Sequence, residues 1–194
     1  MKWYIKNLVT TDFLTYFDDI GEKYPDDYNL LYHKAQLLEG LERYDEALDV
    51  RCHAMEIAGI MSYYATNALG NLYYRMGDFY NAMVCYEENA ATYKDNSLRL
   101  CIADCYLALE EYGSMEQMLA DYLAEGGEET EATSYRMMAA YMKEDYEELL
   151  TYADMLIAEN SRDAKAKAYK VVAMRALDMD GTEELIREID SQGF

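Results

Sequence analysis

The sequence is short of the residues that interrupt helices and of those that carry most enzyme chemistry. Its 194 residues include one proline, ten glycines and two histidines. Because proline breaks a helix interior and glycine weakens it, this scarcity leaves the chain free to be almost wholly helical. His33 and His53 are isolated, and neither a glycine-rich phosphate loop nor a two-histidine helical metal motif is present. We therefore expect a protein that is not an enzyme and that holds no cofactor and no metal.

Long apolar runs are also missing. No stretch approaches the roughly 20 apolar residues of a membrane span, and Lys6 and Asn7 interrupt the N-terminal segment before it reaches signal-peptide length. The four cysteines form no disulfide framework. Cys101 and Cys105 lie one helical turn apart, but no second ligand pair accompanies them, so small buried thiols are the expected interpretation. We expect a cytoplasmic protein.

Positive charge is scarce as well. The chain has 17 Lys and Arg against 38 Asp and Glu, a net charge of −21. A field of this sign repels phosphate backbones and anionic lipid, so nucleic acid and membrane surfaces are poor partners. The acidity either only keeps the protein soluble or favours a basic protein or peptide partner. Hydrophobic residues make up 52% of the chain, enough for a continuous core.

The residues from Tyr63 to Ala91 have the pattern of two amphipathic helices joined by a tight turn. Gly70 costs roughly 1 kcal/mol in a helix interior, which predicts that another helix passes too close for a Cβ there. We expect a small Ala82 opposite it. Gly77 suits a helix end at positive φ, and Asp78 can accept hydrogen bonds from the next helix's first amides.

This stretch resembles the tetratricopeptide repeat, a helix-turn-helix unit of about 34 residues. The resemblance is carried by Leu69-Gly70, Tyr73, Gly77, Phe79, Ala82 and Tyr86. Aligned repeats start 33 to 36 residues apart, near Tyr28, Tyr63, Asn96, Thr130 and Ala166. The resemblance implies an all-α, right-handed α-α superhelix, a solenoid of tetratricopeptide-like helical hairpins.

The predicted organisation is one continuous solenoid behind an N-terminal cap. Residues 1–27 form a degenerate half-repeat or cap, with a helix from Thr10–Asp12 to about Ile20 that turns Phe13, Phe17 and Ile20 inward. The predicted hairpins span residues 28–62, 63–95, 96–129, 130–165 and 166–194.

In the tetratricopeptide family the first helices of successive hairpins line a concave groove that receives an extended peptide or a partner helix. The resemblance therefore implies a non-catalytic protein–protein interaction scaffold or adaptor. Carried over by position, the groove residues are Tyr32, Gln36, Tyr64, Asn67, Asn71, Tyr74, Arg75, Asp104, Met138, Tyr141 and Lys170.

Asn67 and Asn71 form the most specific pair in this set. An amide offers both a donor and an acceptor, so two asparagines one turn apart can hold the backbone of an extended peptide. The alternative is that they are ordinary solvated helix residues.

Three cations and two large side chains give weaker signals. Arg75, Lys167 and Lys170 can meet a ligand carboxylate, although the resemblance to the carboxylate-clamp members is partial. Met138 and Tyr141 indicate an adaptable apolar pocket, and ordinary packing explains them equally well.

Self-assembly is the alternative function. Apolar residues near both termini would then pair with a second copy, giving a homo-oligomer. They are Trp3, Tyr4, Ile5, Leu8 and Val9 at one end and Leu185, Ile186, Ile189 and Phe194 at the other.

Overall fold

The computed structural model describes residues 13–191. Within this range the regular structure is helical and no β-strand occurs. The chain divides after Leu98 into two compact units.

The first unit contains five α-helices in its described part. Its elements are α1 (helical over residues 13–21), α2 (Tyr28–Gly40), α3 (Tyr44–Ile57), a 3-10 turn (Gly59–Met61), α4 (Ser62–Met76) and α5 (Phe79–Tyr93). The helices α2 and α3 pack together, as do α4 and α5, and α3 also packs against α4. One buried cluster connects α1, α2, α3 and α4, and its members are Leu14, Leu38, Ala47 and Leu72.

The helix α1 confirms the predicted N-terminal helix but turns a different face inward. Leu14 is buried, whereas Phe13 is 53% exposed. Phe17 and Ile20 are half-buried. The expectation that Phe13 points inward is therefore wrong, because Leu14 supplies the side chain that reaches the core.

The second unit contains the remaining helices of the described chain. They are α6 (Leu98–Ala108), α7 (Tyr112–Ala124), α8 (Glu129–Met142), α9 (Tyr146–Glu159), α10 (Ala164–Ala176) and α11 (Thr182–Ser191). Ala103, Met115 and Leu119 are among the buried residues that hold α6, α7 and α8 together. Leu149 and Ala153 of α9 lie in a second cluster with residues of α8 and α10.

The turn inside each hairpin is built in the same way. One residue per turn adopts a left-handed conformation, with φ between 50° and 80°: Glu42, Gly77, Glu110, Glu144 and Asp178. The N–H of the following residue donates to the carbonyl five positions before it, at 2.9 to 3.0 Å. These bonds define a Schellman motif, which satisfies the last carbonyls of a helix and reverses the chain. The left-handed residues are 33 to 35 positions apart, so the turn geometry itself repeats.

Gly70 lies where two helices approach closely, as predicted. A Cβ at this position would lie 2.8 Å from Cε1 of Tyr86 and 3.0 Å from Cβ of Cys85. The residues facing Gly70 are therefore Tyr86 and Cys85, and the expectation that Ala82 lies opposite is wrong. Ala82 is fully buried one turn earlier on α5.

Candidate protein-interaction surface

A pocket of about 230 Å³ lies between α2 and α4, which are the first helices of two successive hairpins in the first unit. We call it the aromatic pocket, and its lining residues are Tyr28, Asn29, Tyr32, His33, Met61 and Tyr64. Tyr28 and Tyr32 are neighbours on one face of α2, because residues four apart in a helix lie above one another. Their rings stack at 6.0 Å. The structure thus brings together Tyr32 and Tyr64, two predicted groove residues on different helices.

Gln36 holds the walls of the aromatic pocket in place. Its Nε2 donates to the hydroxyl of Tyr32 at 3.2 Å, and its Oε1 lies 3.2 Å from Nδ1 of His33. The guanidinium of Arg51 lies over the Tyr32 ring, 4.6 Å from the centroid. Gln36 therefore acts here as a positioning residue for the neighbouring rings.

Arg75 takes part in an ion-pair network within the chain. Its Nη1 donates to Oε2 of Glu39 at 3.0 Å, and its Nη2 donates to the carbonyl oxygen of Glu39 at 3.1 Å. Its guanidinium also lies 5.3 Å from the Tyr44 ring centroid. Glu39 thus already supplies Arg75 with a carboxylate, and the contact of Arg75 with a ligand carboxylate stays a prediction.

Arg51 is the buried centre of this network and the sequence pattern did not single it out. The residue is 3% exposed, and its Nε and Nη2 both donate to Oε1 of Glu39, at 2.9 and 2.7 Å. Its Nη1 is buried without a hydrogen-bond partner among the described residues, as is the hydroxyl of Tyr28. Burial raises the pKa of Tyr28. Arg51 was not among the predicted groove residues, because it lies on the second helix of its hairpin.

Asn67 and Asn71 use their amide oxygens within the hairpin. Asn89 donates to Oδ1 of Asn67 at 2.8 Å, and the Tyr86 hydroxyl donates to Oδ1 of Asn71 at 2.8 Å. Asn71 is exposed and Asn67 half-buried. Within residues 13–191, both side chains form their hydrogen bonds through the amide oxygen. The N–H donors of each amide nitrogen therefore remain available. The pair can therefore offer hydrogen-bond donors to a ligand, whereas the sequence predicted both donors and acceptors.

Tyr74, the remaining predicted residue of α4, packs at the hairpin turn. It is half-buried, and its ring meets that of Phe79 edge to face at 5.3 Å. Packing against the start of α5 explains this tyrosine.

The second unit brings Met138 and Tyr141 of α8 against α10. The Tyr141 ring lies 5.2 Å from that of Tyr169, and the Met138 sulfur lies 3.3 Å from Nζ of Lys165. Asp104 is half-buried on α6 of the same unit.

Lys170 lies against α9, the second helix of the preceding hairpin, and its place in the groove stays a prediction. Its Nζ contacts Oδ1 of Asp154 on α9 at 2.6 Å. Lys167 is 2% exposed and its Nζ lies 2.6 Å from Oε1 of Glu188 on α11. Both cations therefore have carboxylate partners within the unit.

Ion pairs like that of Lys170 occur at the same repeat position elsewhere. The other pairs are Lys34–Asp18 at 2.6 Å and Arg136–Glu116 at 3.1 Å. Each cation precedes the left-handed turn residue of its hairpin by eight positions, and its partner lies on the preceding second helix. The helix α10 begins at Ala164, two residues before the predicted start. A two-residue offset rotates a side chain by about 200° around a helix, so Lys170 faces a different side of α10 from the one that the sequence alignment implied.

The sequence pattern also missed two adjoining depressions in the second unit. Their volumes are about 260 and 390 Å³, and they share Thr130, Leu156 and Glu159. Other carboxylates, Glu129, Glu131 and Asp163, lie on their walls.

Cys85 and Cys105 are buried thiols. Burial raises the pKa of the Cys105 thiol to about 12 and that of Cys85 to about 11, so both are protonated at neutral pH. Over residues 13–191, no group of three or more His, Cys, Asp or Glu side chains is arranged to hold a metal ion.

Two further sequence expectations concern membranes and the chain ends. In the described part of the chain, none of the helices has the length and hydrophobicity that crossing a membrane requires. Leu185, Ile186 and Ile189 of α11 are half-buried. The residues at the other end, Trp3 to Val9, and Phe194 lie outside the described residues.

Comparisons with known proteins agree on the fold. A tetratricopeptide repeat protein from Parabacteroides merdae is 16% identical with a TM-score of 0.74, over 97% of this chain and 75% of that chain. PilW, a widely conserved type IV pilus biogenesis factor, is 16% identical with a TM-score of 0.68, over 98% and 87%. The chain has a tetratricopeptide-repeat-like fold. The expectation of an all-α fold of tetratricopeptide-like helical hairpins is therefore confirmed.

A third solved structure of this fold belongs to a protein with a peptide-binding site. YrrB, described as a tetratricopeptide repeat protein with an unusual peptide-binding site, is 18% identical to this tetratricopeptide-repeat-like chain with a TM-score of 0.52. The match covers 89% of this chain and 90% of YrrB. No protein-family model and no curated protein matches the sequence.

Proposed function

We propose that this chain is a non-catalytic protein-interaction scaffold that binds a peptide or partner segment on the first helices of the first unit. The observation that carries the proposal is the aromatic pocket, which joins α2 and α4 through Tyr32 and Tyr64. Tyr64, Asn67 and Asn71 are spaced i, i+3 and i+7, so they share one side of α4. A segment anchored in the pocket and lying along α4 would meet the two amide donors.

The polar groups on this side of α4 suit a backbone rather than a particular side chain. An extended peptide presents carbonyl oxygens, and the free N–H donors of Asn67 and Asn71 can pair with them. YrrB is a precedent for peptide binding by this fold. The aromatic pocket would supply selectivity through one side chain of the partner, because buried aromatic anchors carry much of the energy of an interface.

A basic partner fits the charge of both units. Residues 1–98 contain 16 Asp and Glu against 8 Lys and Arg, and residues 99–194 contain 22 against 9. These net charges of −8 and −13 favour a basic segment and disfavour nucleic acid and anionic membrane surfaces. The free cysteines support a reducing compartment such as the cytoplasm.

The absence of catalysis in this proposal rests on the chemistry of the pocket walls. None of the six lining residues is a carboxylate, a lysine, a serine or a cysteine. The imidazole of His33 contacts Gln36 through Nδ1. A nucleophile activated by a neighbouring base, which a hydrolase would need, is not assembled by these side chains.

A peptide selection on the intact chain tests the proposal. Peptides displayed on phage would be selected on wild-type protein, and their Kd measured against the double variant Tyr32→Ala, Tyr64→Ala. The matched control is Tyr80→Ala on α5, which removes a tyrosine that is 62% exposed and remote from the pocket in sequence.

We expect the double variant to weaken binding by about 30-fold or more, the effect of losing a hot spot, and the control to bind as wild type. Equal binding by wild type and double variant, with helicity retained in both, would place the interaction elsewhere and refute the proposal.

A further inference from the structure

The aromatic pocket has the composition of a cation-binding cage. Four of its six residues carry aromatic rings, Tyr28, Tyr32, His33 and Tyr64, and Met61 adds a thioether. The faces of tyrosine rings have negative electrostatic potential, which attracts guanidinium and ammonium groups. Tyr64 is 59% exposed, so its ring remains accessible to a partner.

Among residues 13–191, tyrosine rings already bind cations at three places. Arg51 lies over Tyr32 at 4.6 Å, Arg75 over Tyr44 at 5.3 Å and Lys143 over Tyr112 at 5.3 Å. Glu39 accepts two hydrogen bonds from Arg51, and it shares its carboxylate with Arg75. Arg75 lies eleven residues along α4 from Tyr64, a distance of about 16 Å in a helix. The two arginines and Glu39 together keep one positive charge, and Arg75, the more exposed of the two, lies away from Tyr64 along α4.

Carboxylates flank the residues of the aromatic pocket. Asp26 and Asp27 immediately precede Tyr28. The Asp26 side chain is 72% exposed and lies 3.0 Å from Nε2 of His53, and Asp27 accepts a hydrogen bond from the amide of Leu30. Asp95 accepts a hydrogen bond from Tyr63, the neighbour of Tyr64 in sequence. With the net charge of −8 on this unit, these groups favour a positive ligand over a neutral one of the same shape.

We propose that the aromatic pocket receives an arginine side chain of the partner, with its guanidinium against the tyrosine rings and its methylene stem along Met61. This inference rests on the proposed function and names the side chain that the pocket selects. Arginine suits the site better than lysine, because its planar and weakly hydrated guanidinium stacks on aromatic faces.

The test compares N-acetyl-arginine-N-methylamide with its citrulline analogue, which has nearly the same shape and no charge. Binding to the full chain would be followed by NMR of methyl-labelled methionine, with the Met61 signal assigned from a Met61→Leu variant. We expect the arginine probe to shift the Met61 signal saturably and to bind at least threefold more tightly than the citrulline probe. Tyr64→Leu should weaken the arginine probe by a similar factor, whereas Tyr80→Leu should not.

Three results with the small probes would overturn the inference. They are equal affinity of the arginine and citrulline probes, tighter binding of N-acetyl-leucine-N-methylamide, and the absence of a saturable shift at Met61. Equal losses in the Tyr64→Leu and Tyr80→Leu variants would also contradict it, because the attraction would then be nonspecific. Phage-selected peptides that need Tyr32 and Tyr64 but contain no arginine would leave the proposed function standing while this inference fails.

Discussion

Replacing Glu39 by glutamine should strongly destabilise the first unit. The carboxylate accepts hydrogen bonds from Arg51 at 2.7 and 2.9 Å and from Arg75 at 3.0 Å. The amide keeps the shape but loses the charge, and it leaves the Arg51 guanidinium without an anion in a site where the residue is 3% exposed. Removing one partner of a buried ion pair costs about 3–5 kcal/mol. Because domains are stable by only about 5–15 kcal/mol, we expect a loss of this size to be easily measured.

Urea unfolding followed by circular dichroism, combined with amide hydrogen exchange in α2 and α3, measures this loss and assigns it to the first unit. Two controls separate charge burial from lost contacts. Arg75→Met should cost up to about 1 kcal/mol, because its side chain is 43% exposed. The double variant Glu39→Leu, Arg51→Met should be less destabilised than Glu39→Gln, because it buries no unpaired charge.

A Glu39→Gln variant within about 0.5 kcal/mol of wild type, the usual range of surface substitutions, would refute this reasoning. A double variant that is less stable than Glu39→Gln would also refute it.

Three further changes test the turns, the orphan hydroxyl and a carboxylate. Glu110→Gly should raise the free energy of unfolding by about 0.5–1 kcal/mol in urea unfolding, because glycine adopts φ of 59° without strain; a decrease would contradict this. Tyr28→Phe should raise it by about 1 kcal/mol, because the buried hydroxyl has no partner within the described residues; a decrease would show that it has one. Hydrogen bonds from Ser97 and Tyr63 hold the pKa of Asp95 below its usual 3.8. Its stabilisation is therefore full above that value and lost as pH falls through the folded pKa. Asp95→Asn should accordingly destabilise the protein at pH 7 and lose this effect in acid; a pH-independent difference would contradict the assignment.

The hairpin pattern was readable from the sequence because it depends on local geometry. Gly77 adopts the left-handed conformation that its turn requires, and Gly70 lies where Tyr86 leaves no room for a Cβ. Such constraints act between residues near each other in the chain. At Glu110 and Glu144 the same turn is made by an acidic residue, so composition alone could not locate every turn.

The candidate site was predictable in part. The position of Tyr32 and Tyr64 on first helices predicted their common surface, and both line the aromatic pocket. The partners of Arg75 and Lys170 were not predictable, because they lie 36 and 16 residues away and depend on how neighbouring hairpins stack. Arg51 was missed because nothing in its local sequence indicates that Glu39 neutralises it. The spacing of Lys34, Arg136 and Lys170 in multiples of 34 residues is the signal that could have identified the inter-hairpin ion pairs.

The location of a bound peptide tests the central claim most directly. Intermolecular NOEs between a phage-selected peptide and the intact chain would be measured with labelled methionine methyls and asparagine side-chain amides. We expect NOEs from the peptide to the Met61 methyl and to the amide protons of Asn67 and Asn71. NOEs confined to α5 or to the second unit, with none at Met61, would contradict it.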